Sequence, residues 1–128
     1  MSYRTFLQTA AGLAVAGLFM TTAAAHHGWT WADTEQMQLK GTVQEVRIAP
    51  PHPWLDVKTA DDGVWRVELG NPMQTQRSGF TAESAKPGDA VDATGNRSRD
   101  HAEKRMKAVQ LTVGDKTYDI YPDRIQKR

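Results

Sequence analysis

The sequence predicts an all-β domain with one short helix, folded as a Greek-key barrel of five to six strands. Three observations carry this prediction. Short segments alternate apolar and polar residues with period two, as half-buried strands do. Proline- and glycine-rich turns separate them. One stretch only, opening at Asn71-Pro72, has the cap and first-turn chemistry of a helix. Three strands, a helix, two strands and an appended sixth is the element order of the OB-fold, whose helix lies between strands three and four. A small sandwich of the same strand content is the competing architecture.

Met37 to Ile48 reads as the first strand, with a phase change after Val43 and Gly41 as a fitting site for a bulge or bend. Ala49-Pro50-Pro51-His52-Pro53 ends it, because proline has no N–H to give to a ladder. Trp54 to Thr59 and Val64 to Leu69 form a hairpin around Asp61-Asp62-Gly63, with Trp65, Val67 and Leu69 on its core face. From Asn71 the helix runs through Met73 to Arg77 and stops at Gly79. Lys86-Pro87-Gly88-Asp89 is a tight turn into a strand of small residues, Ala90 to Gly95. Asn96 to Lys104 is a polar loop; Arg105 to Val113 resumes alternation, and Gly114-Asp115 turns into Thr117 to Tyr121. The organisation expected is residues 26–36 as an N-terminal arm, 37–122 as the barrel and 123–128 as a frayed basic tail.

Ahead of the arm, residues 1–25 carry the pattern of a removable signal peptide. Arg4 is followed by an apolar run to Met20, and Ala23 and Ala25 are the small residues accepted before the cut. The run is broken by Gln8 and Thr9 and falls short of the roughly 20 apolar residues of a membrane span. Cleavage after Ala25 is expected, giving a periplasmic or secreted protein with no membrane span. There is no Arg-Arg pair, so export of the unfolded chain is expected.

Of 128 residues, removing 25 leaves 103, the size of one domain. The 16 basic residues fall to 15, equal to the 15 acidic ones, so the mature chain lacks the basic footprint of a nucleic-acid binder. No cysteine is present, which excludes thiolate metal sites, thiol nucleophiles and covalent haem attachment. No nucleophile motif or phosphate loop is found either, and the expectation is a binding protein and not an enzyme.

Cleavage after Ala25 makes His26 the amino terminus, with His27 beside it. The free amine, with a pKa of about 8, and the imidazoles, near 6.5, deprotonate readily for a metal. Copper(II) stands highest in the affinity order for such nitrogen donors. His52, in the loop between strands one and two, and His101, in the loop between strands four and five, occupy the two loops that flank the OB-fold binding face. The candidate metal ligands are therefore His26, His27, His52 and His101. The bland alternatives are a polar chain start, a His52 stacked on Trp54 and a solvated His101. Trp29 and Trp31 are expected to cover an open end of the barrel, and Trp65 to lie in the core; exposed tryptophans would instead offer stacking surfaces. The leading expectation is a periplasmic protein binding a transition metal. The alternative is a metal-free adaptor for an envelope protein, peptide or small organic ligand.

Ala25-His26-His27, Gly41-Thr42-Val43, Pro51-His52, Trp65, Asn71-Pro72, Lys86-Pro87-Gly88-Asp89 and Arg99-Asp100, taken in this order, resemble an uncharacterised family of small exported bacterial proteins, a domain of unknown function. The resemblance covers nearly all of the mature chain. Members commonly show Asn-Pro-His where this chain has Pro50-Pro51-His52, and a glycine where His101 stands, which weakens His101 as a ligand common to the family. What the resemblance implies is an exported OB-like binding domain, and no reaction.

Overall fold

Alternation along the chain becomes six strands in the computed structural model, which describes residues 28–127. They are β1 (Met37–Arg47), β2 (Trp54–Lys58), β3 (Val64–Glu68), β4 (Ala90–Arg97), β5 (Arg105–Val113) and β6 (Lys116–Asp119). One helix, α1 (Pro72–Arg77), stands between β3 and β4, and a single 3-10 turn, Pro122–Arg124, follows β6. The strand order is β3-β2-β1-β4-β5-β6, and a parallel pairing of β3 with β5 closes the first five into a barrel. That closure is the OB-like architecture anticipated from element order. No helix of the described residues is long and apolar enough to cross a membrane.

The inward face of each strand supplies the core. Leu39 and Val43 of β1, Leu55 and Val57 of β2, Trp65 and Val67 of β3, Ala93 of β4, and Met106, Ala108 and Leu111 of β5 are all buried in one cluster. Each large side chain buried this way contributes about 1.5–3 kcal/mol, which is what holds a cysteine-free domain together. Trp65 is in this core, as its strand position demands, with its indole N–H donating to Asp62 in the hairpin turn at 3.2 Å. Gly63 completes that turn at φ 68°, a left-handed conformation that glycine adopts freely. Asn71 caps α1 by accepting from the Gln74 N–H at 2.8 Å.

Two register shifts bend the sheet. In β1 the shift lies between Val43 and Glu45, not at Gly41 as expected. Gly41 serves a different need, because a Cβ there would fall on the Lys58 carbonyl as β1 crosses β2. The second shift, between Thr94 and Gly95, inserts an extra residue into β5. β4 also runs to Arg97, beyond the expected end at Gly95, because Asn96 and Arg97 find pairing partners in Lys107 and Met106.

Both ends of the described chain are tied down. In the arm, Ala32 bridges Ser98, the Asp33 N–H donates to the Arg97 carbonyl at 2.7 Å, and the Arg99 N–H donates to the Trp31 carbonyl at 2.9 Å. The tail expected to fray from Asp123 instead returns to the arm. The Gln126 N–H donates to Gln36 Oε1, and its side-chain amide donates to the Thr34 carbonyl, both at 3.0 Å. Backbone groups that would otherwise need water are satisfied by the opposite terminus.

Candidate functional site

Where β2, β3 and β5 lie side by side, their outward residues form a small grid. Trp54 stands opposite Glu68, and Glu68 opposite Lys107; Asp56 stands opposite Arg66, and Arg66 opposite Arg105. The Arg66 guanidinium forks onto the Asp56 carboxylate, with Nε and Nη2 at 2.6 and 3.2 Å, and lies 3.6 Å over the Trp54 ring. Arg105 lies 3.7 Å over the Trp31 ring and pairs with Glu68. Planar guanidinium groups suit this combination of bidentate pairing and stacking. A groove of about 510 Å³ runs between Trp54, Arg66 and Arg105.

Glu68 therefore turns to Arg105 and makes no salt bridge to Lys107, its direct neighbour across the strands. Lys107 is only 2 % exposed, and among the described residues its ammonium makes no hydrogen bond or salt bridge. Its surroundings are aromatic and cationic. The Trp29 and Tyr121 rings lie 5.4 and 5.7 Å away, Arg124 lies 4.1 Å over Trp29, and Trp29 meets Tyr121 edge-on at 5.0 Å. Gly28 lies over the ammonium, which stands 3.4 Å from the place a Cβ would occupy. Burial above all, then the charges of Arg105 and Arg124, pushes the Lys107 pKa down against the pull of Glu68.

The charge of this cluster is felt at His52. Burial first and the Lys107 charge second hold its pKa below the ordinary 6.5, with Glu68 and the Gly70 backbone pulling partly the other way. The lowered pKa favours the neutral ring. Its Nδ1 is buried and has no hydrogen-bond partner among the described residues. A neutral imidazole with an unengaged ring nitrogen is the form that binds a metal or meets a polar ligand.

His101 has a different setting. It is exposed, its Nε2 lies 3.2 Å from Asp33 Oδ2, and its carbonyl accepts from Arg97. Among the described residues no three His, Asp or Glu side chains gather as a metal-binding set. His26 and His27 lie outside the described residues. Trp29 and Trp31, expected over an open end of the barrel, pack on outward residues of β5 and on Tyr121. Sequence reasoning missed Lys107, Arg105 and Glu68. Their alternation assigned them to the outward side of their strands, and no sequence signal announced that the arm and the segment after β6 would cover that side.

Solved structures of similar fold include two with TM-scores above 0.5. The chain matches a crystal structure of the Stn1–Ten1 complex of S. pombe at 20 % identity and a TM-score of 0.52, covering 63 % of this chain and 59 % of that one. It matches the ZRD-deleted mutant of TiaS in complex with agmatine at 15 % identity and a TM-score of 0.52, covering 67 % of this chain and 26 % of that one. This chain thus spans less than two thirds of either, and the likeness is one of fold alone. No curated protein matches it. A family model described as a family of unknown function (DUF6152) matches residues 14–108.

Proposed function

The chain belongs to the DUF6152 family of unknown function, and from that premise we propose that it is an exported small binding protein of the bacterial envelope that holds a transition metal, copper(II) in preference, at His26, His27 and His52. The observation that carries this reading is the buried His52 Nδ1, which has no hydrogen-bond partner among the described residues, on an imidazole whose lowered pKa favours the neutral form. Gly28 packs against Lys107, whose charge in turn acts on His52. Two residues further upstream add a reach of about 7 Å, and the reading requires a mature chain starting at His26 to bring its donors to that ring. The terminal amine, the imidazoles of His26 and His27 and His52 Nδ1 then make an all-nitrogen set that copper(II) favours over nickel and zinc. His101 joins only by giving up Asp33.

Titration of the protein beginning at His26 with copper(II), beside a version with one extra residue ahead of His26, tests this. Removing the free amine from the first position is expected to weaken binding at least tenfold, and His52→Ala to do the same. Equal affinity in all three, or none in any, overturns it. Mass spectrometry of the exported protein must also find His26 at the amino terminus.

The groove between Trp54, Arg66 and Arg105 favours a second reading, a metal-free adaptor for an envelope protein, peptide or small organic ligand. In that case copper leaves the spectrum unchanged and alanine at Trp54 removes binding of the partner.

A further inference from the structure

The groove beside β3 is built around two like charges. Arg66 and Arg105 stand directly opposite each other in the parallel β3–β5 pairing, and both line the groove of about 510 Å³. Like charges facing each other across strands repel. Each guanidinium is nonetheless held in place: Asp56 and the Trp54 ring fix Arg66, and Glu68 and the Trp31 ring fix Arg105. Arg66 gives Nε and Nη2 to its carboxylate and Arg105 gives Nε, which leaves Nη1 of the first and both terminal nitrogens of the second for a ligand. The two side chains are 44 % and 36 % exposed, so the groove is reached from solvent. Two planar donor groups that are fixed before a ligand arrives take up an anion at little ordering cost.

Charge selects the valence. Arg66, Arg105 and Lys104 line the groove together with Asp56 and Glu68, three positive side chains against two negative ones. A monoanion balances the surplus, whereas a dianion meets two carboxylates. The rest of the lining is apolar. It consists of Trp54 and of Val64, which lies two residues before Arg66 on the same face of β3 and is 43 % exposed. An extended peptide commonly binds by adding to a free strand edge. Where the arginines stand both edges of β3 are taken, one by β2 and the other by β5.

We propose that this groove binds a small organic monocarboxylate with a flat apolar body, its carboxylate between Arg66 and Arg105 and its body on the apolar side chains that flank them. The inference rests on the second reading, in which the groove is the binding surface, and is independent of a metal at His52.

Protein beginning at His26 and stripped of metal, titrated with sodium benzoate at constant ionic strength and followed by NMR of the arginine Nε–H and tryptophan indole N–H groups, tests the proposal. Saturable shifts at Arg66, Arg105 and Trp54 are expected. Binding is expected to be at least tenfold weaker with benzamide, with acetate, with inorganic phosphate and in Arg105→Gln. Val64→Ser, at an exposed position, is expected to weaken binding severalfold, which keeps the test valid if Arg105→Gln does not fold. Shifts that never saturate, equal binding of benzamide, tighter binding of phosphate, or undiminished binding in both variants each overturn the proposal. Acetyl-Ala-Glu-Ala amide stands for an acidic peptide. If it binds and benzoate does not, the proposal fails while the groove remains a binding surface; if neither binds, both readings of the groove fail.

Discussion

Lys107 stands on a strand that reads as half solvent-exposed, yet it is one of the largest fully buried side chains in the domain. Burial lowers its pKa, so at neutral pH it is charged in the unfolded chain and reluctantly charged in the folded one. Stability from this group is fully present only above the ordinary 10.5 and is lost as pH falls through the lowered folded pKa. Lys107→Met is thus expected to stabilise the protein by about 1–3 kcal/mol at pH 7, with the gap closing as pH rises toward 10.5; urea unfolding at several pH values measures it. His52 follows the same sign lower on the scale. Its folded pKa is depressed, so its contribution is present above 6.5 and fades as pH falls below that. An NMR titration should place its midpoint under 6.5, and Lys107→Met should move that midpoint upward.

Strands and turns were legible because each is a local decision. Asp61-Asp62-Gly63 makes a turn wherever it stands between two alternating runs, and Asn71-Pro72 starts a helix by satisfying its own first N–H groups. Asn71→Ala is expected to cost about 1 kcal/mol in thermal or urea unfolding. The position of a bulge is not local, and here the reading of Gly41 failed. Both Gly41 and Gly95 are required by a backbone approaching from another strand, the Lys58 carbonyl for one and the Lys107 carbonyl for the other. Gly95→Ala should destabilise by about 1–3 kcal/mol as an overpacked site. It should also disturb Lys107, which a shift of the Lys107 amide resonance would report.

At the scale of the whole molecule residues 28–36 and 121–126 form a second layer over the barrel wall. Trp29, Trp31, Tyr121 and Arg124 interlock above β5, and Gln36, Gln126 and Thr34 hold arm to tail. Trp31→Ala removes the stack on Arg105. It should speed amide hydrogen exchange across residues 28–36 while leaving the barrel core strands protected, the signature of a locally opening unit. Exchange rising equally throughout the barrel would show that arm and barrel unfold together.

Strand alternation, turn chemistry and the helix cap determined, from the residues alone, that this chain is an OB-like barrel whose core includes Trp65, because those signals act between neighbours in sequence. The candidate ligands His52 and His101 were also visible as residue types on two loops. Which of them has a buried ring nitrogen without a partner among the described residues was decided only by tertiary structure. The layer over β5 is built from segments some ninety residues apart, and sequence periodicity reports which face of a strand a side chain takes but not what will cover that face. Lys107 shows the difference: alternation placed it outside the barrel, and only the meeting of residues 28–36 with the segment after β6 buried that outside.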